Sequence, residues 1–212
     1  MGKIYRLIQE ILRGIFEVIF SRDTKCLICS KEDNIGICEE CINKITFCLE
    51  KNDTSIGYYK GPLKELIIKF KCKNNFQAGD ILVDFLEEKI KTFNKNYIIT
   101  YIPLSKESYK NRGFNQCEYI SKELGYRCNM KVMNTLKRIK EVKIQKTLNK
   151  EEREENLKGV FEVINQKNIS KKNFILLDDV ITTGATVREA RNVLLNGGAN
   201  SVSIITIAKS HI

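Results

Sequence analysis

Two adjacent carboxylates follow an apolar run in the C-terminal part of this chain. Phe174 to Leu177 are four consecutive apolar residues, with the length of a buried strand, and Asp178 and Asp179 come directly after them. Ligands of open α/β sheets bind beyond the carboxyl ends of the strands. Ionised carboxylates only accept hydrogen bonds, which suits two neighbouring sugar hydroxyls. Asp178 and Asp179 are therefore predicted to bind a ligand and to serve any catalysis on it.

A loop of small and hydroxyl-bearing residues follows the acidic pair and opens a helical pattern. Its residues are Thr182, Thr183, Gly184, Ala185 and Thr186. Backbone N–H groups of such a loop, together with the positive end of the helix dipole, attract phosphate. Gly184 allows close backbone approach or positive φ. Acids and loop together predict a sugar-phosphate site; an ordinary strand–turn–helix connection is the alternative.

A second polar loop follows a predicted strand at residues 96–102. It contains Ser105, Lys106 and Arg112, and it faces the same crevice if both strands belong to one parallel sheet. Lys supplies a point charge and Arg a fork for diphosphate oxygens. These three residues are predicted to bind the ligand. An ordinary basic surface loop is the alternative.

Four cysteines form two CxxC pairs near the N-terminus. Cys26 and Cys29 are followed by Cys38 and Cys41, with eight residues between the pairs. Such pairs can place four thiolates around one Zn²⁺, and a closed set of four is typical of a structural site. Bound zinc would then supply much of the folding energy of this short segment. Redox pairs or disulfides are the alternatives.

The remaining pattern alternates helices with strands. Helices are predicted after Gly61-Pro62, at 76–93 and at 114–124, and further strands at 174–177 and 202–208. Near-continuous apolar strands are typical of a parallel sheet covered on two faces. The predicted fold class is α/β, a doubly wound and mainly parallel sheet with a small N-terminal four-cysteine zinc module.

Charge and hydropathy narrow the classes of partner. The formal charge of +10 favours non-specific attraction to nucleic acid or to a phosphorylated ligand, but no base-reading signature is present. The runs Lys69–Lys73 and Lys167–Lys172 are typical of solvated faces. Residues 4–20 are apolar with a charged stripe, which predicts an amphipathic helix and disfavours a membrane span. That helix packs on protein or lies shallowly at a membrane surface.

The run from Phe174 to Thr186 resembles the phosphoribosyl-diphosphate (PRPP) motif of type I phosphoribosyltransferases. With the four-cysteine module, Arg-Gly-Phe-Asn-Gln at 112–116 and the stretch 144–161, the chain resembles the bacterial ComF family from Cys26 to Ala208. That stretch is interpreted as a mobile cover over the site or as a surface helix. The implied organisation is an N-terminal amphipathic helix at 1–22, a zinc-binding module at 23–57 and a phosphoribosyltransferase-like domain at 58–212.

The ComF resemblance implies a role in natural transformation. It implies a PRPP-binding site, Mg²⁺ bound with PRPP, and handling of incoming single-stranded DNA in the cytoplasm beside a ComFA-type helicase. The N-terminal helix would allow contact with the inner face of the membrane. Three hypotheses stay open: a binding module that senses PRPP or a phosphorylated strand end, an active Mg²⁺-dependent phosphoribosyltransferase, and a nucleotide-salvage enzyme.

Overall fold

The computed structural model describes residues 24–50, 53–141 and 156–210, and a sheet of five parallel strands lies at their centre. In chain order the strands are β1 (Ser55–Tyr58), β2 (Tyr97–Tyr101), β3 (Lys131–Val132), β4 (Leu136–Arg138), β5 (Phe161–Val163), β6 (Asn173–Ile181) and β7 (Ser201–Lys209). The parallel sheet has the order β1-β7-β6-β2-β3, and β4 pairs with β5 in a separate antiparallel ribbon. The predicted α/β fold class is confirmed.

Seven helices with described bounds accompany these strands. They are α1 (Glu39–Ile42), α2 (Gly61–Lys73), α3 (Phe76–Lys91), α4 (Lys106–Arg112), α5 (Gln116–Arg127), α6 (Gln166–Ile169) and α7 (Ala185–Asn196). Pro62 lies in the first turn of α2, where its missing N–H is harmless. The helix α7 ends at Asn196, directly before the predicted stop at Gly197-Gly198. No helix among the described residues is long and apolar enough to cross a membrane.

The sheet is buried on both faces, which explains its apolar strands. In β6, Ile175 and Leu177 belong to the core shared with α2, α3 and α5, whereas Phe174 and Leu176 belong to the core shared with α7. Successive side chains of a strand point to opposite faces, so a strand between two helical layers needs apolar residues at every position. The strand β6 extends past the predicted end at Leu177, because its pairing with β7 continues to Ile181 and Lys209.

The predicted polar loop after β2 contains a helix. Ser105 caps α4, since its hydroxyl accepts a hydrogen bond from the Ser108 N–H at 3.0 Å. Gly113, with φ of +78°, ends the helix in the left-handed region. Asn115 then caps α5 and donates to the Ile102 carbonyl at 3.0 Å. The Asn115 cap thereby ties the start of α5 to the end of β2.

The four-cysteine segment packs against the α/β core. Leu27 and Ile45 are buried in the same cluster as Ile81 and Leu82 of α3. Gly36 lies so close to α3 that a Cβ there would stand 3.2 Å from Cδ1 of Ile81. Folding of this segment is therefore coupled to the main core.

Two predicted features lie outside the described residues. They are the N-terminal amphipathic helix at 1–22 and most of the stretch 144–161, of which the part from Asn156 onward is described. The last residues of that stretch lead into β5.

Candidate functional site

The strand order places a crevice between β2 and β6. From β2 the chain moves outward to β3, and from β6 it moves outward to β7 on the other side. Adjacent strands whose connections diverge form a topological switch point, where open α/β sheets bind ligands at the carboxyl ends. The segment 103–105 follows β2 here, and the acidic pair lies near the end of β6. The topology therefore brings together the two segments that the sequence singled out.

Asp179 is the centre of a hydrogen-bond network that joins three elements. It continues the row of Ile175 and Leu177, which faces α2 and α5. Its Oδ2 lies 2.6 Å from Nζ of Lys71 in α2 and accepts a hydrogen bond from Nε2 of Gln116 at 2.8 Å. Its Oδ1 accepts from the Val180 N–H at 2.7 Å. The carboxylate is thus held in one orientation before any ligand arrives.

Asp178 lies in a less favourable environment for a charge. Its Oδ1 accepts from the Asp179 N–H at 2.8 Å, and the buried thiol of Cys117 lies 3.9 Å from the same oxygen. Burial, followed by repulsion from Asp179, raises the pKa of Asp178 to about 7. Burial and the two carboxylates also raise the pKa of Cys117 well above its ordinary value. Asp178 therefore changes protonation near neutral pH.

The loop after β6 has the geometry of an anion-binding turn. Gly184 precedes α7 with φ of +76°, and no side chain caps the helix. The Thr183 hydroxyl accepts a long hydrogen bond from the Ala185 N–H at 3.4 Å. The Thr183 backbone carbonyl accepts a hydrogen bond from Nη1 of Arg188 at 2.9 Å. The helix α7 thereby stabilises the loop that precedes it. Thr182 is exposed, whereas Thr183 and Thr186 are half-buried. Uncapped N–H groups at the start of a helix attract phosphate.

The three residues predicted to bind diphosphate lie in two different parts of the crevice region. Nη1 of Arg112 donates to Oε1 of Gln116 at 3.0 Å, so Arg112 joins the network of Asp179 through one intermediate. Ser105 and Lys106 instead line a cavity of about 370 Å³ with Tyr101, Tyr109 and Glu118. The Lys106 backbone N–H donates to Glu141 at 2.8 Å. Arg112 is thus the member of the three that a chain of hydrogen bonds links to the acidic pair.

Sequence reasoning missed Lys71 and Gln116. Lys71 stands in the run Lys69–Lys73, which predicted a solvated face, and for this residue that prediction is wrong. Its side chain is 26% exposed and faces a carboxylate that is 10% exposed. Burial opposes its charge, but attraction to Asp179 outweighs burial and raises the pKa of Lys71. The signal that could have revealed it is weak: Lys71 directly follows the buried Phe70 on α2.

The four cysteines form a second candidate site, a metal centre. The Sγ atoms of Cys26, Cys29, Cys38 and Cys41 all lie within 4.8 Å of one another, and Cys29 and Cys38 are 3.6 Å apart. Four sulfurs at about 2.3 Å from one Zn²⁺ would stand roughly 3.8 Å apart. All four are free thiols. The donor set and its spacing fit zinc and disfavour the disulfide alternative.

Backbone N–H groups tune these thiols. The Ile28 and Cys38 N–H groups donate to Sγ of Cys26 at 3.4 and 3.3 Å. Burial works against ionisation, but these hydrogen bonds prevail and lower the pKa of Cys26 to about 6. Burial and the neighbouring thiols raise the pKa of Cys41 to about 12. A divalent cation would relieve the repulsion among four thiolates.

Fold and site together define an α/β protein with a parallel sheet, an acidic pair beside a helix start at the switch point, and an attached four-cysteine cluster. No known family profile matches the chain. It is 29% identical over 163 residues to competence protein F of Haemophilus influenzae, covering 73% of this chain and 71% of that protein. It is 29% identical over 198 residues to competence protein ComFC of Bacillus subtilis, covering 87% and 78%. DNA utilization protein YhgH of Escherichia coli is 24% identical over 209 residues, covering 87% and 90%.

The chain is therefore a homologue of the ComFC and competence protein F family over most of its length, as its motifs predicted. Among solved structures, a hypoxanthine-guanine phosphoribosyltransferase of Bacillus anthracis is 16% identical with a TM-score of 0.41, covering 62% of this chain and 68% of that chain. A glutamine PRPP amidotransferase of B. subtilis is 15% identical with a TM-score of 0.40, covering 61% and 26%.

Proposed function

We propose that this protein binds a phosphoribosyl ligand such as PRPP in the crevice between β2 and β6, and that it handles single-stranded DNA. One observation carries the first part: Asp178 and Asp179 lie in the C-terminal half of β6, two residues before the turn 182–184 that opens α7. The acids would accept hydrogen bonds from the ribose hydroxyls. The backbone and hydroxyls of residues 182–186 would hold the 5′-phosphate.

Mg²⁺ would enter with the diphosphate, and diphosphate oxygens, water and the nearby carboxylates would hold it. When bound, it would neutralise charge on the diphosphate. Arg112 is proposed as a diphosphate contact, because Gln116 links it to Asp179. Ser105 and Lys106 are proposed as further contacts from their position after β2, although they line the separate cavity. Zn²⁺ is proposed as a structural ion on the four cysteines.

An aromatic cluster with one exposed ring supports a role with single-stranded DNA. The rings of Phe70, Phe76, Phe114 and Tyr119 have centroid separations of 5.2–5.9 Å. Phe76 is 45% exposed, whereas Phe70 is buried. In sequence, Phe70 and Phe114 are close to Lys71 and Gln116, the two residues that contact Asp179. Sequence-tolerant binding of single strands combines basic groups with aromatic rings on which bases stack. The curated relatives are named for competence and DNA utilization, which agrees with this proposal.

The proposal is tested by calorimetric titration of PRPP and Mg²⁺ into zinc-loaded protein. We expect binding by the wild-type chain and a loss of about tenfold or more in the double variant Asp178→Asn and Asp179→Asn, because neutral amides replace charge-assisted acceptors. The matched control is Asp33→Asn, an exposed carboxyl in the cysteine segment. Equal affinity in wild type and double variant would remove the acidic pair from the site.

The same sample distinguishes binding from turnover. Diphosphate release that requires an acceptor and Mg²⁺ would indicate a transferase of nucleotide metabolism, the alternative function. Binding without release would indicate a sensor or a DNA-handling scaffold. Contact with a ComFA-type helicase and with the membrane surface stays an expectation from the family resemblance.

A further inference from the structure

An ion pair occupies an atom that the proposed ligand needs. Oδ2 of Asp179 accepts hydrogen bonds from Nζ of Lys71 and Nε2 of Gln116, and Oδ1 accepts one from the Val180 N–H. Three donors therefore surround the carboxylate in the structure. Oδ2 already accepts from two donors and Asp179 is 7% exposed, so a ribose hydroxyl that binds Oδ2 has to replace one of them.

Lys71 is the partner that can leave. The Val180 N–H belongs to the backbone of β6, and Gln116 is 3% exposed and held at its other end by Arg112. Lys71, in contrast, lies in the last turn of α2 and keeps about a quarter of its side chain in contact with water. Its flexible four-carbon stem can move the ammonium group without moving the helix.

The released ammonium group needs another anion. A charge left without its partner in a partly buried place is costly, so displacement of Lys71 by a neutral hydroxyl alone is unfavourable. A diphosphate attached to the ribose carbon beside those hydroxyls supplies the missing anion. A ligand without diphosphate displaces Lys71 and leaves it unpaired.

We propose that Lys71 determines ligand specificity. When the ribose binds Asp179, the Lys71 ammonium group leaves that carboxylate and forms an ion pair with the diphosphate of the ligand. The site then favours phosphoribosyl ligands that carry a diphosphate over those that do not. This inference rests on the proposed function of the crevice as a phosphoribosyl site. It assigns the discrimination to a helix residue outside the two loops.

The test compares PRPP with ribose 5-phosphate by calorimetry in the presence of Mg²⁺. Wild-type protein should prefer PRPP. In Lys71→Gln the affinity for PRPP should fall about tenfold, as expected for the loss of one charge-assisted contact, while the affinity for ribose 5-phosphate stays equal or rises. Glutamine keeps an N–H donor for Asp179, which protects the fold. The matched control Lys73→Gln makes the same charge change at an exposed position two residues later and should behave as wild type.

A second measurement needs no variant. Inorganic pyrophosphate with Mg²⁺ should pair with Lys71 and so free Oδ2 of Asp179. The affinity of the wild-type protein for ribose 5-phosphate should therefore rise when pyrophosphate is present. By linkage, ribose 5-phosphate should tighten pyrophosphate binding by the same factor. Independent binding of the two probes would contradict the exchange.

The other outcomes are distinct. If Lys71→Gln loses both ligands equally, Lys71 only positions Asp179 and the inference is overturned. If it loses neither, the ammonium does not reach the ligand, and the inference is overturned as well. If wild-type protein binds neither PRPP nor ribose 5-phosphate, the proposed function fails first, before any variant is compared.

Discussion

Gln116 donates a hydrogen bond through Nε2 to Oδ2 of Asp179 at 2.8 Å, across 63 residues of sequence. Its Oε1 accepts from Nη1 of Arg112 at 3.0 Å, so one amide joins a cation to a carboxylate without direct contact between them. The arrangement keeps Arg112 near the acidic pair while leaving its charge unneutralised by Asp179. An anionic ligand at this crevice would therefore meet a pre-positioned cation.

Gln116→Met tests this relay. Methionine keeps the length of the side chain but removes both hydrogen bonds, so Arg112 and Asp179 lose their orientation. We expect PRPP affinity to fall about tenfold or more, because a hydrogen bond to a charged group contributes about 1.5–3 kcal/mol. Calorimetry at constant ionic strength measures it.

The control is Gln77→Met on α3, whose buried Nε2 makes no hydrogen bond to any described residue. That variant should bind PRPP as wild type does. Equal losses in the two variants would show that the effect at residue 116 is a general loss of stability.

Much of this architecture could be predicted from the sequence because burial on two faces imposes apolar strands. In the strand that begins at Asn173, the side chains of Phe174 to Leu177 alternate between two cores. Because each of them is buried on one face or the other, the run is apolar at every position. The four-cysteine cluster was equally predictable, since its spacing is set by metal geometry. The homologous competence proteins align over most of the chain, as these motifs predicted.

The positions of side chains between elements could not be predicted. Lys71 and Gln116 lie on separate helices, and nothing in their local sequence states that β6 brings Asp179 between them. Lys71 stands among other lysines, where exposure is the usual outcome. The helix α4 was also missed, because a seven-residue helix held by Ser105 and Gly113 has too few apolar positions to show a period.

Stability should depend on pH through Asp178. Its pKa is raised to about 7 in the folded protein and is near 3.9 in an unfolded chain, so folding favours the protonated form. Stability from this group is present below pH 4 and is lost as pH rises to about 7. The variant Asp178→Asn carries no group that ionises at this position, so it keeps its stability as pH rises. We expect its free energy of unfolding to exceed that of wild type by about 2 kcal/mol above pH 7 and to equal it near pH 4.

Urea unfolding of both proteins at pH 4, 6 and 8 measures this effect. Asp33→Asn, which changes an exposed carboxyl, should reproduce the wild-type profile. A constant difference across the three pH values would show that folding does not change the pKa of Asp178.

Loss of one zinc ligand should affect more than the cysteine segment. Cys38→Ser removes one of four donors, and we expect the zinc content to fall from about one ion per chain to near zero. Because Leu27 and Ile45 share a core with α3, the midpoint of thermal unfolding of the whole chain should fall as well.

Metal analysis and a thermal melt check both statements. Cys72→Ser is the matched control, since Cys72 is exposed on α2 and lies outside the cluster. Unchanged zinc in Cys38→Ser would overturn the metal assignment. Lost zinc with an unchanged melt would instead show that the segment folds independently of the core.

The aromatic cluster can report on single-stranded DNA directly. The chain contains no tryptophan, so Phe76→Trp introduces a single indole at the half-exposed ring of the cluster. Stacking of a base on that ring should quench its fluorescence when oligo-dT is added. The affinity should fall with rising salt, by about 0.7 in log K per log unit of salt for each phosphate contacted.

Leu49→Trp provides the comparison, because residue 49 is 94% exposed and lies outside the aromatic cluster. Its fluorescence should not respond to the oligonucleotide. Phe76→Ala should weaken binding by about 1 kcal/mol or more, the usual contribution of one stacked base. Quenching of equal size at residues 49 and 76, or unchanged affinity in Phe76→Ala, would place any DNA contact elsewhere on the basic surface.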